Sequence, residues 1–327
     1  MVVRLKILDI DKMNWALYLA SKIKIMHAPP FLKAGSKVAI VSPARKVSRE
    51  EIEPALTFIQ KNQWELVITE DLFGVHHQWS GTDKQRADHL QGYLDNPEID
   101  LIWCARGGYG SMRILEFINW EIFRKHPKWL LGFSDITALT QLIVNGLGSA
   151  AIHGPLALTI GKNEEAAMHL YSLLSGKSLT YKIAPHSLNR NGSTKGRLQG
   201  GNLSLLYALQ GSDADIIPDG AILFIEDLDE YLYHIDRMML SLRRSGKLAK
   251  LSGLIVGGFT EMKDHEIPFG YAAEEIILHA VRDYDFPVCF DFPAGHVSKN
   301  LPIIMGAAAR LEVGPLGGSL TYLDGQA

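Results

Sequence analysis

In the run KWLLGFSDITAL, Lys128–Leu139, an apolar segment ends at Gly132, and the small polar pair Ser134–Asp135 stands before a helical pattern. Strand, tight turn and helix in that order hold a serine hydroxyl at a helix amino terminus, where free backbone N–H groups stabilise a developing oxyanion. That is the logic of a nucleophile elbow, although Ile136 occupies the place of the last glycine in G-x-S-x-G. Ser134 and Asp135 also suit ordinary helix capping, the commoner role for both residue types. A nucleophilic serine needs a base, and the base needs an orienting acid. His296, in DFPAGHVSKNLPIIMG, follows a strand directly in a turn marked by proline and glycine, and is the strongest histidine candidate. His153, in AIHGP, either binds substrate or closes a strand end; His76 and His77 sit in a polar loop, and His234 shares a helix with Asp236 and Arg237. Glu226 and Asp227 end the apolar run AILFIED, where a carboxylate is costly unless paired. Capping or salt bridging by Glu226, Asp227, Asp229 or Glu230 is the plainer alternative.

The loop ARGGYG, Ala105–Gly110, is the other candidate for chemistry. Gly107, Gly108 and Gly110 let the backbone approach a ligand and turn its N–H groups inward, toward a phosphate, a carboxylate or an oxyanion beside Ser134. The spacing is neither G-x-G-x-x-G nor a P-loop, so nucleotide binding is not implied. Arg106 has the fork to clamp a carboxylate, or equally serves as a structural arginine. In GGNLSLL, Asn202 precedes a helix and reads first as its cap.

The elements that must position these residues alternate. KVAIVSPA, ELVIT, DLIWCARGGYG, KWLLGF and AAIHGPLAL read as strands, and SREEIEPALTFIQKN, GTDKQRADHLQGYLDNP and SMRILEFIN as helices between them. Ser48 with Glu51 forms a capping-box signature, and Ala87, Leu90 and Leu94 face inward. This is the signature of a doubly wound parallel α/β sheet, in which ligands bind outside the carboxyl ends of the strands. Both candidate loops lie at such ends. Beyond them come a helix, KNEEAAMHLYSLLSGKS, a polar glycine-containing stretch over 189–201, and strands AILFIED, LSGLIVGGF, PVCFDF and ARLEVGPLGGSLTYL with helices near Tyr231–Arg244 and Ala272–Arg282. The expected organisation is an appended segment over 1–26, a parallel-sheet α/β domain over 27–165, a linker over 166–190, and a β-rich α/β domain, a small sheet or barrel, over 191–327. Met26 is an alternative initiator.

Composition narrows the function classes. The chain has 327 residues, 47% hydrophobic and 21% charged, with a formal net charge of −3. That provides no electrostatic footprint for nucleic acid or an anionic membrane. No apolar run is long enough to span a bilayer, and the amino terminus lacks the pattern of a secretory signal. Cys104 and Cys289 lie in apolar runs and read as buried thiols in a reducing, cytoplasmic compartment. No residue spacing implies a metal or a cofactor.

Taken in order, KVAIVSPA, GTDKQRADHL, DLIWCARGGYG, GFSDITAL, IHGP, GGNLSLL, LFIEDLDEYLYHIDRM and GHVSKNLPIIMG resemble one family, the serine LD-carboxypeptidases of the S66 peptidase group. That group includes murein tetrapeptide carboxypeptidases and microcin C self-immunity peptidases. The resemblance runs from about Lys37 to Leu311. It implies a flavodoxin-like amino-terminal domain, a β-rich carboxyl-terminal domain and a homodimer. It places the nucleophile on Ser134, the acid on Glu226 and the base on His296, with the oxyanion held by the N–H groups of Asp135 and Gly108. The implied reaction releases a terminal D-amino acid, in murein recycling D-alanine, from a small peptide. Arg106, Gly107, Tyr109, Gly110, His153 and Asn202 are the candidates for substrate contacts. Two rival readings remain: a peptidase for peptide–nucleotide conjugates, with Trp79, Trp103 or Trp120 as a base platform, and a non-enzymatic binding module.

Overall fold

A computed structural model describes residues 26–215 and 219–323. The appended segment expected over 1–26 therefore lies outside the described residues except for Met26. At its end, His27 is already tied down: its N–H donates to the Gly148 carbonyl at 3.0 Å, and its own carbonyl accepts from Ala150 at 2.9 Å.

The first half alternates as its hydrophobic pattern dictates: β1 (Lys37–Val41), α1 (Arg49–Lys61), β2 (Glu65–Val67), α2 (Asp83–Asp95), β3 (Ile99–Cys104), α3 (Glu121–Lys125), β4 (Trp129–Gly132), α4 (Thr137–Gln141), β5 (Ala151–His153) and α5 (Glu164–Leu174). Capping boxes start α1 and α2: Ser48 and Thr82 accept from the N–H groups of Glu51 and Gln85, whose side chains reach back to the cap N–H groups. Helices on both faces bury β3 and β4, which is why IDLIWC and WLLG are continuous apolar runs rather than alternating ones. The run SMRILEFIN is a 3₁₀ helix, Ser111–Phe117, where an α-helix was expected. Arg113 N–H returns to the Gly110 carbonyl three residues back, and Ser111 N–H is held by the Asp135 carboxylate, which fixes the tighter winding from its first turn.

The second half contains β6 (Thr180–Ile183), β7 (Gly192–Asn202), α6 (Leu203–Ala208), β8 (Ile222–Leu228), α7 (Leu232–Arg244), β9 (Gly253–Thr260), α8 (Ala273–Ala280), β10 (Val288–Cys289), β11 (Ile303–Met305), β12 (Ala308–Gly314) and β13 (Gly317–Tyr322). The stretch 166–190 is thus more than a linker, since it completes α5 and supplies β6. Most of the polar stretch over 189–201 is β7, the longest strand described and the middle of its sheet.

Two mixed sheets result. The first runs β2-β1-β3-β4-β5-β11; its five leading members are parallel in the flavodoxin-like order, and β11 closes the edge antiparallel to β5. The chain therefore returns from the carboxyl-terminal half to finish the amino-terminal sheet. The second sheet runs β10-β9-β8-β7-β12-β13-β6, parallel from β10 to β7 and antiparallel thereafter. It is an open sheet rather than a barrel.

One apolar core spans both sheets, joining Trp103, Trp129 and Ile152 to Phe224, Leu311 and Leu320. A second fills the space between α7, α8 and the strands, with Met238, Met239 and Ile277 against Leu223, Ile225 and Leu254. Polar contacts stitch the sheets where apolar packing cannot. Tyr322, on β13, accepts from the Ile304 N–H of β11 at 2.7 Å, and Tyr181, on β6, donates to the Pro302 carbonyl at 2.6 Å. Tyr322→Phe leaves the buried Ile304 N–H without this acceptor. A loss of about 1–3 kcal/mol is expected, read as a lower midpoint in urea unfolding.

Candidate active site

β4 ends at Gly132, and the chain turns through Ser134 into a helical segment that begins as 3₁₀ (Ser134–Ile136) and continues as α4. Ser134 has φ +64°, a left-handed conformation that is uncommon for a residue with a side chain and collects at functional turns. The space for so sharp a turn comes from Gly132, whose added Cβ would lie 2.8 Å from the Ile136 side chain. Ile136 at the site of the missing last glycine is therefore accommodated from the other end of the motif.

Glu226 lies near the end of β8, at a break in register against β9 between Ile225 and Asp227. A bulge of this kind re-aims a side chain, and Ile225, Glu226 and Asp227 are all buried. His296 belongs to the loop after β10. That loop lies directly on β9 because Gly257 and Gly258 carry no side chains: their added Cβ atoms would be 2.6 Å from the Ala294 carbonyl and 2.4 Å from Val297. Thr260 fixes it further by donating to the His296 carbonyl at 3.0 Å.

These three segments bring Ser134, His296 and Glu226 together. His296 Nδ1 is 2.6 Å from Glu226 Oε2, and His296 Nε2 is 3.1 Å from Ser134 Oγ. A carboxylate only accepts, so Nδ1 carries the proton and donates to Glu226; the neutral ring then leaves Nε2 to accept from the serine hydroxyl. The His296 backbone N–H also donates to Glu226 Oε2, at 3.2 Å. Burial alone disfavours the imidazolium, but the charge and hydrogen bond of Glu226, helped by Asp227 and Glu261, outweigh it and raise the His296 pKa. Asp227 and Glu230, the other acids of the same run, are engaged elsewhere. Asp227 accepts from Asn202, the Ser204 N–H and the Ser204 hydroxyl, and Glu230 from Ser204 and His234. Burial and the neighbouring Glu226 push the Asp227 pKa up to about 6.

The glycine loop lies against the serine. An added Cβ on Gly107 would be 3.2 Å from Ser134 Cβ and 3.5 Å from the Asp135 nitrogen. Gly108 and Gly110 have φ +103° and +140°. The loop is held from below by Arg86, nearly fully buried, which donates to the carbonyls of Gly110 and Pro43 and pairs with Asp83. Arg86 was not legible as a site residue, because its partners are carbonyls distant in sequence. The Asp135 carboxyl points into the protein and accepts from Ser111 N–H at 2.8 Å; burial raises its pKa against that hydrogen bond.

With that geometry in hand, comparison with known proteins is decisive. Residues 38–154 match the LD-carboxypeptidase N-terminal domain and residues 195–311 the LD-carboxypeptidase C-terminal domain of the S66 peptidases. The chain belongs to the LD-carboxypeptidase family. It is 31% identical to a probable murein peptide carboxypeptidase of Bacillus subtilis over 88% of this chain and 92% of that one. It is 25% identical to the microcin C7 self-immunity protein MccF of Escherichia coli over 88% and 93% of the two chains. In fold it resembles the crystal structure of muramoyltetrapeptide carboxypeptidase from Oxalobacter formigenes, with a TM-score of 0.80 and 24% identity over 88% and 99% of the two chains.

Several LD-carboxypeptidase contacts expected from sequence are placed differently. His153 does not line an opening: it is 1% exposed, packed between the rings of Phe133 and Phe224, and burial lowers its pKa to about 4. Asn202 is 5% exposed and caps α6 while binding Asp227, so it braces the site rather than meeting a ligand. Arg106 is partly exposed and pairs with Glu51 at 3.1 Å, in line with the structural alternative. Tyr109 is exposed and its carbonyl accepts from the Trp79 indole, which sets Trp79 beside the glycine loop. Trp103 is fully buried, and Trp120 lines a separate cavity of about 820 Å³. Among the described residues no group of His, Cys, Asp and Glu is placed to hold a metal ion, and no helix is long and apolar enough to cross a membrane.

The His296–Glu226 contact sets a titration. The imidazole midpoint, followed by NMR of its ring protons, is expected above the ordinary 6.5. In Glu226→Gln the largest raising charge is gone while burial remains, so the midpoint should fall relative to wild type.

Proposed function

We propose that this LD-carboxypeptidase family member is a serine peptidase that hydrolyses an L,D-peptide bond and releases a carboxyl-terminal D-amino acid, D-alanine from murein tetrapeptide. The reading is carried by one observation: a serine in a left-handed turn, 3.1 Å from an imidazole that is itself 2.6 Å from a fully buried carboxylate. Ser134 Oγ attacks the scissile carbonyl as His296 Nε2 takes its proton. Glu226 holds the ring in the required tautomer and stabilises the imidazolium. The N–H groups of Asp135 and Gly108 receive the oxyanion, a role supported by the close approach of the neighbouring Gly107, where an added Cβ would lie 3.2 Å from Ser134 Cβ and 3.5 Å from the Asp135 nitrogen. Collapse of the intermediate passes the proton from His296 to the leaving amine, and water then repeats the sequence on the acyl-enzyme. Similarity to the Bacillus subtilis murein peptide carboxypeptidase supports the murein peptide as substrate. A cytoplasmic homodimer completes the proposal, and the buried free thiols of Cys104 and Cys289 accord with a reducing compartment.

Release of D-alanine from L-Ala-γ-D-Glu-meso-diaminopimelate-D-Ala is the test. Wild type should release it, Ser134→Ala should not, and Glu226→Gln should lose about 10⁴-fold in kcat. A wild type that is inert beside an active control enzyme overturns the reaction. Because the neutral imidazole is the base, kcat/KM should rise with pH as His296 deprotonates. With its pKa raised, that limb should have its midpoint above 6.5.

A further inference from the structure

A cavity of about 430 Å³ opens beside His296, with Phe133, Lys162, Gly295, Ser298 and Asn300 also in its wall. The proposed reaction says which part of a substrate belongs there. The imidazole that takes the serine proton must return it to the departing amine, so the leaving residue lies against His296 Nε2. Gly107 of the glycine loop and the Asp135 N–H border Ser134 on the side where the proposed oxyanion is received. In a carboxypeptidase the leaving residue bears a free carboxylate, which has to be desolvated and matched.

The wall is built for an anion. It contains Lys162 and no carboxylate. Lys162 is exposed and makes no ion pair among the described residues. Glu165, nearby at the start of α5, is instead engaged by Lys299 at 2.6 Å. Asn300 is 6% exposed, and its Oδ1 accepts from the Gly295 N–H at 2.8 Å. That bond fixes the orientation of the amide, because an N–H requires the oxygen. Its Nδ2 is buried with no partner among the described residues. A buried donor without an acceptor is expensive, and such groups in native proteins call for an explanation.

We propose that Lys162 and Asn300 Nδ2 bind the terminal carboxylate of the leaving D-amino acid, and so restrict cleavage to the last residue of a peptide. The inference rests on the carboxypeptidase reading and extends it to chain-end recognition. It also replaces Arg106, tied to Glu51, as the carboxylate clamp. Lys162 supplies charge at the mouth, and Asn300 supplies direction from inside. Asn300, in the same loop as His296 and hydrogen-bonded to that residue's neighbour Gly295, couples recognition of the carboxylate to the position of the base.

Binding and hydrolysis separate this inference from the reaction. In a Ser134→Ala background, calorimetry should show tighter binding of the free-acid tetrapeptide than of its C-terminal carboxamide, by about 10- to 100-fold, the range for one charge-assisted contact. Adding Lys162→Ala should erase most of that preference while leaving carboxamide affinity within about twofold. Asn300→Asp keeps an acceptor for Gly295 and turns the free donor into an anion, so it should reverse the preference. In otherwise wild-type protein, Lys162→Ala should raise KM for the free acid far more than it lowers kcat. Equal affinity for acid and carboxamide, failure to bind either, or a preference that survives both substitutions overturns the assignment. A preserved preference in a protein that hydrolyses neither peptide overturns the reaction and leaves the anion site standing.

Discussion

The contact between Glu226 and His296 exists because nothing stands on residue 295. Gly295 has φ +98°, and a Cβ there would lie 2.7 Å from the Cβ, the Cγ and a carboxylate oxygen of Glu226. The carboxylate comes from a bulge in β8, and the imidazole from the loop after β10. Only a bare backbone lets that loop descend far enough for a 2.6 Å hydrogen bond. Everything else about the site follows from this descent. The His296 N–H joins the same carboxylate oxygen, the ring is fixed in one tautomer, and Nε2 is aimed at β4 across the junction of the two sheets.

Holding the serine at the other end of that junction is a separate problem, solved by a seam of polar contacts. Gln141, on α4, donates to the Gly200 carbonyl at 2.7 Å, and Asn202 N–H donates to Thr137 Oγ1 at 3.1 Å. Asn202 then donates through its side chain to Asp227, the neighbour of Glu226. The helix that follows Ser134 is thereby tied to the strand that carries the carboxylate. Gly200 and Gly201 make the approach possible, since their added Cβ atoms would be 1.9 Å from the Phe224 carbonyl and 2.7 Å from Thr137. Asp227 is the cost of the seam: a carboxylate placed beside Glu226, compensated by Asn202, Ser204 and the Leu228 N–H.

Much of this was legible in the sequence, and the exceptions have physical causes. The strands of the first sheet are buried on both faces and announce themselves as apolar runs; the capping boxes of α1 and α2 mark their helices in four residues each. Ser134, Glu226 and His296 could be put forward individually because each follows an apolar run, and an ordered set of motifs joined them. Their meeting could not be read from periodicity, since it depends on a bulge and on glycines whose purpose is to leave space. β7 is hard to recognise for the same reason: its glycines and polar residues make sense as a strand only beside the strands that crowd them. His153 and Asn202 each offered a substrate contact beside a plainer role, and their surroundings favour the plainer one: His153 ends β5 among aromatic rings, and Asn202 caps α6. Arg86 and Asn300 bind backbone groups, which have no sequence signature.

The edge strand β11 has a bearing on how the protein comes into being. Ile303–Met305 pair with His153–Ala151, and the serine and its imidazole are 162 residues apart. During synthesis the amino-terminal half leaves the ribosome with its serine, but without the strand that closes its sheet beside β5 and without the imidazole beside that serine. The unpaired edge has to wait for β11, and the same short stretch that covers it arrives just behind His296. Closure of the sheet and completion of the Ser134–His296–Glu226 contacts are thus nearly simultaneous. An incomplete chain released early therefore carries Ser134 without the imidazole that faces it.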